Sequence, residues 1–213
     1  WPAKLKILTR VSRGMTDSLR LPGPRDVRAS LDNPDADSVV VACPPHPQMG
    51  GDRRDARLRT VSDALGEHSI ACLRFDYGPW DEGRAEVTDC ESALAWAREN
   101  VETVGLFGYS FGGAVALRAA AEASDAGTPP AALSLLAPAG TLAGESVADA
   151  VDAIACPLQV VYGKRDGTVD STAIAERARD AGQTVESLPA DHFFAGQQGQ
   201  VADTAAGFLA ASL

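Results

Sequence analysis

Lysine is scarce in this sequence, since only three of its 19 basic residues are Lys and the other 16 are Arg. The 29 Asp and Glu residues outnumber these cations, and the net charge is −10. An excess of negative charge repels phosphate backbones and anionic lipid headgroups. The sequence also lacks any apolar run near the ~18 residues that a membrane-spanning helix needs. We therefore expect neither nucleic acid nor a membrane as a partner.

The acidic residues are mostly Asp, which outnumbers Glu by 19 to 10. An Asp-rich, Lys-poor composition is typical of halophilic proteins, in which salt screens the self-repulsion of the acidic surface. A GC-rich genome also favours Arg, Asp and Ala, and both explanations stay open. A protein that is equally folded and active with and without molar salt would exclude the halophilic explanation.

Cysteine and histidine are rare as well. The four Cys (43, 72, 90 and 156) have no C-x-x-C or metal-ligand spacing, and two of them fall in apolar runs that predict strands. This pattern favours reduced thiols in the core of a cytoplasmic protein. None of the three His residues is spaced as a ligand pair, so we expect no metal and no cofactor. Residues 1–4 contain no Met and no signal segment follows, which indicates a cut or engineered start.

What the sequence does contain is a regular alternation of short apolar runs and amphipathic stretches. The run SVVVAC at residues 38–43 has no polar alternation, which is typical of a strand buried on both faces. Strands that alternate with helices predict one α/β domain over residues 1–213, with a mostly parallel central sheet and helices on both faces. The predicted strands are 27–31 (exposed), 38–43, 70–75, 104–107, 131–136, 158–162 and 184–188, and the predicted helices are 53–65, 87–101, 114–123, 147–154, 171–181 and 201–213.

A serine motif follows one of these strands, at the sheet edge where ligands of open α/β sheets bind. Residues 108–112 read G-Y-S-F-G between a predicted strand and a predicted helix. The G-x-S-x-G pattern places its serine, here Ser110, on a sharp turn that lifts the hydroxyl clear of the sheet. The hydroxyl then lies at the positive end of a helix. A glycine-rich packing turn with an incidental serine is the alternative interpretation.

Two later loops contain the partners that a nucleophilic serine needs. Asp166 follows the strand 158–162, and a carboxylate there can orient a histidine that acts as general base. Asp170 in the same loop fits better as an N-cap of the next helix. His192 follows the last strand and is the only His downstream of both Ser110 and Asp166, which gives the order Ser, Asp, His. Asp191 beside it is interpreted as an exposed turn residue.

Together with the order of strands and helices, these residues resemble the α/β-hydrolase superfamily over nearly the whole chain from about residue 27. Residues 45–51 (PHPQMGG) are similar to the H-P-H-P-x-x-G-G segment of small, cap-less hydrolases related to the dienelactone hydrolases. Residues 190–194 (ADHFF) support the resemblance, and 74–77 (RFDY) do so more weakly. The first His of that segment is Pro44 here, and dienelactone hydrolases proper use a Cys nucleophile where this chain has Ser110. Their substrate is therefore not expected to carry over.

The resemblance implies acyl transfer by a catalytic triad. His192 takes the proton of Ser110 as it attacks a carbonyl, Asp166 holds the imidazole, and water then releases the acyl group. We predict a serine hydrolase for a carboxylic ester, thioester or lactone of a small substrate, acting as a monomer or homodimer. A catalytically idle binding or scaffold protein on the same fold stays open, as does an amidase or peptidase.

The resemblance also implies an oxyanion hole between the N–H of Phe111 and an N–H in the loop after strand 38–43. Proline has no N–H, and three residues of that loop are Pro. His46 is therefore the expected second donor, with Gln48 next. Loss of one such donor typically costs ~3 kcal/mol of transition-state stabilisation. The ring of His46 either contacts substrate or packs the loop.

The predicted site is open. Only 21 residues, 137–157, separate the strands 131–136 and 158–162, which leaves room for one short helix and not for a cap domain. Such a site favours small or protruding acyl groups. For the aromatic residues among the candidate substrate contacts, packing against the core is the alternative. The candidate contacts are Gln48, Tyr77, Trp80, Tyr109 and Phe193.

Overall fold

The computed structural model describes residues 17–213, which contain ten strands and five α-helices. The predicted cut or engineered start at residues 1–4 lies outside the described residues. The strands are β1 (Asp17–Leu21), β2 (Val27–Asp32), β3 (Ser38–Cys43), β4 (Ala71–Asp76), β5 (Thr103–Tyr109), β6 (Leu133–Leu136), β7 (Thr141–Leu142), β8 (Glu145–Ser146), β9 (Leu158–Gly163) and β10 (Thr184–Leu188). The helices are α1 (Ala56–Glu67), α2 (Ala85–Asn100), α3 (Phe111–Asp125), α4 (Thr172–Asp180) and α5 (Gln198–Ala210), and 3-10 helices span Pro47–Met49 and Ala148–Ala153.

Eight of the strands form one sheet in the order β1-β2-β4-β3-β5-β6-β9-β10. Its β1–β2 and β2–β4 pairs are antiparallel, and the remaining pairs are parallel. β5 lies near the middle of the sheet, where Cys43 pairs with Gly108 and Tyr109 pairs with Leu136. The carboxyl ends of β3, β5 and β6 therefore meet at one edge of the sheet.

Helices cover both faces of this sheet because its central strands present apolar side chains to each side. In β3, Val39 and Val41 pack into one apolar cluster, and Val40 and Ala42 pack into the other, as the period of a strand requires. α2, α3 and α4 contribute to the first cluster, and α1 and α5 to the second. The predicted fold class, a mostly parallel α/β sheet with helices on both faces, is confirmed.

Some individual elements differ from the prediction. The prediction does not include β1, because Asp17–Leu21 (DSLRL) contains only two apolar residues. This strand depends on its pairing with β2, which a local sequence pattern does not reveal. The strand predicted as exposed at 27–31 lies between β1 and β4, with Val27 and Ala29 buried. The helix predicted at 147–154 is the 3-10 helix Ala148–Ala153, since six residues are too few for a stable α-helix.

The segment between β6 and β9 contains the short β7–β8 hairpin and this 3-10 helix, and no cap domain. All four Cys residues are buried free thiols. Among the described residues, no helix is long and apolar enough to cross a bilayer. The cytoplasmic location stays a prediction.

Candidate active site

Ser110 occupies the turn between β5 and α3 with a φ of 59° and a ψ of −121°. A positive φ is uncommon for a residue with a side chain, so the surrounding structure must enforce it. A Cβ atom on Gly108 would lie 2.2 Å from the carbonyl oxygen of Gly112, and one on Gly112 would lie 2.3 Å from that of Cys43. The glycines therefore permit this close approach. α3 begins directly after Ser110, three residues earlier than predicted, so the hydroxyl lies at the helix N-terminus.

The structure brings Ser110, His192 and Asp166 together. Ser110 Oγ lies 3.0 Å from His192 Nε2, and His192 Nδ1 lies 2.7 Å from Asp166 Oδ2. Ser110 and His192 are only 8% and 4% exposed, and the Asp166 side chain is 5% exposed. In the tautomer that suits this geometry, Nδ1–H donates to the carboxylate and Nε2 accepts from the serine hydroxyl.

The second oxygen of Asp166 is also bound. Oδ1 accepts hydrogen bonds from the backbone N–H groups of Thr168 at 2.8 Å and Val169 at 3.1 Å. These bonds fix the carboxylate and leave Oδ2 facing the imidazole. The predicted N-cap of α4 is Asp170, but Ser171 occupies that position; Asp170 lies one residue earlier, and its Oδ1 accepts a hydrogen bond from Thr172 N. That hydrogen bond lowers the pKa of Asp170.

Tyr109 lies against His192 in the interior. Its ring stacks on the imidazole at 5.3 Å between centroids, and its hydroxyl donates to the His192 carbonyl oxygen at 3.1 Å. Tyr109 is 1% exposed, and burial raises its pKa to about 12. The structure thus gives Tyr109 a supporting position under His192 instead of the predicted substrate contact.

The two N–H groups expected to form the oxyanion hole belong to Phe111, the first residue of α3, and to His46, which precedes the 3-10 helix Pro47–Met49. Within residues 17–213, neither Phe111 N nor His46 N donates a hydrogen bond to the protein. The next predicted donor, Gln48 N, is occupied because it donates to His46 Nδ1 at 3.2 Å. His46 therefore caps the 3-10 helix through its side chain, and the N–H of Gln48 is not available to the oxyanion hole. The side chain of Gln48 is exposed.

The hydrogen bond from Gln48 also fixes the state of the His46 ring. An Nδ1 atom that accepts a hydrogen bond carries no proton, so the ring is neutral with its proton on Nε2. Burial lowers the pKa of His46 from its ordinary value of 6.5, against the opposing charge of Glu86. The ring packs on Trp80 at 4.5 Å and on Phe111 at 4.9 Å between centroids. The ring of His46 thus packs within the protein and helps to fix the loop after β3, which carries the backbone N–H of the same residue.

The loop after β4 forms the outer wall of this aromatic cluster. Trp80 is half-buried, with its ring 5.6 Å from that of Phe111, and its contact with substrate stays a prediction. Tyr77 is buried, and its hydroxyl donates to the Pro44 carbonyl oxygen at 3.1 Å. Tyr77 is therefore a support for the loop after β3, which corrects its assignment as a substrate contact.

Two buried carboxylates that the sequence analysis missed hold the loop after β4 in place. Glu86 accepts hydrogen bonds from Asp81 N at 2.9 Å and Gly83 N at 2.8 Å. Asp89 accepts from Gly78 N at 2.9 Å and from Arg25 Nε at 2.7 Å, and burial raises its pKa. Acidic residues in the first turns of a helix that follows a glycine-containing loop are the only signal that the sequence offers for this arrangement.

Phe193 lies on the histidine side of the site and is 52% exposed. Its ring meets His192 edge to face at 5.4 Å. A cavity of about 300 Å³ lies elsewhere, between the start of α2, the middle of α3 and the β7–β8 hairpin, and none of the predicted site residues lines it. No group of three His, Cys, Asp or Glu side chains in residues 17–213 is arranged to hold a metal ion.

Comparison with known families gives one match. Residues 79–211, more than half of the chain, match the model of the dienelactone hydrolase family. This span includes Ser110, Asp166 and His192. No curated protein matches the chain.

Many solved structures have the same fold. A lidless α/β serine hydrolase from Xanthomonas campestris is 24% identical with a TM-score of 0.75, over 93% of this chain and 95% of its own. An α/β serine hydrolase homologue from Coxiella burnetii is 25% identical with a TM-score of 0.76, over 93% and 100%. An esterase from Pyrococcus furiosus is 17% identical with a TM-score of 0.74, over 92% and 90%. These similarities show a lidless α/β-hydrolase fold.

Proposed function

Because the chain belongs to the dienelactone hydrolase family, we propose that it is a serine hydrolase that cleaves carboxylic esters of small substrates through an acyl-enzyme. One observation carries this proposal: the continuous hydrogen-bonded arrangement of Ser110, His192 and Asp166 at a strained strand-to-helix turn. A hydroxyl beside an imidazole that a buried carboxylate orients is the arrangement that activates a serine as nucleophile.

In the acylation step, Ser110 Oγ attacks the carbonyl carbon and its proton passes to His192 Nε2. The carbonyl oxygen becomes an oxyanion, and the N–H groups of Phe111 and His46 donate hydrogen bonds to it. Asp166 stabilises the imidazolium that forms. The tetrahedral intermediate then expels the alkoxide, which takes the proton from His192 and leaves as the alcohol.

Deacylation repeats these steps with water. His192 takes a proton from a water molecule, whose oxygen attacks the acyl carbon, and the same two N–H groups bind the second oxyanion. The intermediate expels Ser110 Oγ, which regains a proton from His192, and the carboxylic acid leaves. Thioesters and lactones follow the same steps and belong to the proposed substrate range.

The test of this proposal removes the nucleophile. We expect Ser110→Ala to reduce the hydrolysis of p-nitrophenyl acetate on the order of 10⁴-fold or more while the protein stays folded. A fluorophosphonate should label Ser110 in the unmodified protein. Ser18→Ala, at an exposed serine of β1, is the matched control and should keep full activity.

The assays are run at both low and molar salt because the chain carries a charge of −10. Undiminished turnover in Ser110→Ala would contradict the proposed mechanism. A folded protein that resists the phosphonate at both salt concentrations would support the idle binding protein instead. Hydrolysis of p-nitroanilides faster than that of the matched esters would support an amidase.

A further inference from the structure

Phe193 is exposed to an unusual degree for a large apolar side chain. Among the described residues, it and Met49 are the two exposed large hydrophobic side chains, and Phe193 lies directly beside His192. Single exposed apolar residues are common on protein surfaces. The position of this one next to the imidazole, and the way in which the chain holds it there, call for an explanation.

The loop after β10 orients its side chains alternately. His192 and Phe194 are buried, whereas Asp191 and Phe193 point to solvent. Asp191 Oδ1 accepts hydrogen bonds from Phe193 N at 3.1 Å and Ala195 N at 3.3 Å, which fixes the turn. Phe194 is fully buried with a φ of 51°, a conformation that costs a β-carbon-bearing residue about 1 kcal/mol or more.

The ring of Phe193 is held by contacts on its inner side. It meets the His192 ring at 5.4 Å between centroids and an angle of 79°, and the Arg57 guanidinium lies 5.9 Å from its centroid. Arg57 is also 4.8 Å from the centroid of the Tyr109 ring, so the three side chains form one group around the imidazole. The rest of the ring is free to contact a bound molecule.

The proposed chemistry decides which part of an ester reaches this ring. The alkoxide must leave next to His192 Nε2, because that nitrogen supplies its proton. The acyl group remains on Ser110 while the alcohol leaves, so it need not approach that nitrogen, and the rings of His46, Phe111 and Trp80 pack on one another in a separate aromatic cluster. Phe193 is on the histidine side and therefore adjoins the alcohol portion of the ester.

We propose that Phe193 binds the alcohol portion of the substrate and selects alcohols that carry an apolar or aromatic group, an inference that rests on the proposed esterase function. With no cap domain above it, an exposed ring fixed beside the leaving oxygen is the surface available for that contact. An aromatic pair in such a geometry contributes about 0.5–1.5 kcal/mol beyond the area it buries. The class of substrate is then an ester of a small acid with an arylalkyl or similarly apolar alcohol.

The experiment compares benzyl acetate with ethyl acetate, which share an acyl group and have alkoxides of similar basicity. In Phe193→Ala we expect the ratio of kcat/KM for benzyl acetate to that for ethyl acetate to fall about three- to ten-fold. The ratio for ethyl butyrate to ethyl acetate should stay unchanged, because these esters differ only in the acyl group. Met49→Ala is the matched control, since Met49 is equally apolar, 84% exposed and on the loop after β3.

Each outcome separates the two proposals. An equal loss for both acetates would mean that Phe193 only positions His192, and a changed acyl ratio would place the ring against the acyl group; either result overturns the inference. Unchanged hydrolysis of both acetates also overturns it. All three leave the esterase function intact, whereas a wild-type protein that hydrolyses none of these esters contradicts the proposed function itself.

Discussion

The two sides of Ser110 are supported by the same kinds of contact, but at different depths. On the side of the proposed oxyanion donor His46, called the oxyanion side, Tyr77 donates to the carbonyl of Pro44 at 3.1 Å. On the histidine side, Tyr109 donates to the carbonyl of His192, also at 3.1 Å. The loops after β4 and after β10 are each fixed by a carboxylate that accepts hydrogen bonds from two backbone N–H groups of the loop. Glu86 on the oxyanion side is fully buried, whereas Asp191 on the histidine side is exposed.

This difference in burial determines where stability and activity are coupled. Removal of a buried carboxylate leaves its N–H donors without an acceptor in the interior. This costs much more free energy of folding than the same removal at the surface, where water replaces the acceptor. The loop after β4 is therefore part of the folding core. The loop after β10 can change at its surface with little effect on stability, while its inner residues still control the imidazole.

The largest effect that we expect concerns the two carboxylates. Glu86→Ala should lower the free energy of unfolding by about 3 kcal/mol, because Asp81 N and Gly83 N lose their acceptor and the hydrogen bond from Gly83 N is buried. Asp191→Ala removes the same number of hydrogen bonds at the surface and should cost about 1 kcal/mol or less. Urea denaturation followed by circular dichroism measures both values.

Glu86→Gln serves as the control, since it keeps the shape and one acceptor oxygen; its loss should lie between those of Glu86→Ala and the wild type. Equal destabilisation by Glu86→Ala and Asp191→Ala would show that the two sides of the site do not differ in the way described.

A smaller effect distinguishes the two tyrosines. Tyr77→Phe and Tyr109→Phe should each lower the free energy of unfolding by about 1–2 kcal/mol, because each leaves one buried carbonyl without its donor. Both should lower kcat, by about ten-fold, with little change in KM. Their pH profiles should differ: only Tyr109→Phe, which loosens His192, should move the acid limb of kcat/KM. An identical shift in both variants would contradict this assignment.

The sequence indicated the triad more clearly than its supports. Ser110, Asp166 and His192 each follow a strand, and parallel strands bring such positions to one edge of the sheet, so order along the chain was sufficient. Nothing local showed whether Tyr77 and Tyr109 point outward or inward. Their hydroxyls find carbonyl partners 33 and 83 residues away in the chain, and only the tertiary structure decides that.

Helix and strand boundaries show the same limit. α1 begins at Ala56 and not at residue 53, because Asp55 caps the helix through Arg57 N and because Arg53 N is bound by Asp76 of β4. Glu86 lies just before the predicted helix 87–101, and its hydrogen bonds to a loop depend on how α2 meets β4. Periodicity predicts which residues face the core, but not which buried polar group pairs with which backbone group.

The smallest effect that we expect is a pH dependence on the oxyanion side. Because burial lowers the pKa of His46 in the folded state, the unfolded chain binds more protons than the folded one below the ordinary value of 6.5. The neutral ring therefore stabilises the folded state above pH 6.5. This stabilisation is lost as the pH falls below 6.5 and through the lower pKa of the folded state. Since Nε2 already carries a proton, the added proton goes to Nδ1 and displaces the hydrogen bond from Gln48 N.

His46→Asn tests this dependence because Asn keeps the backbone N–H, can cap Gln48 through its own side-chain oxygen, and does not titrate. We expect the free energy of unfolding to fall less between pH 7 and pH 5 in His46→Asn than in the wild type. The difference should be small, since the ring is only half-buried. Urea denaturation at the two pH values measures it, and an equal fall in both proteins would mean that protonation of His46 does not loosen the loop that carries its N–H.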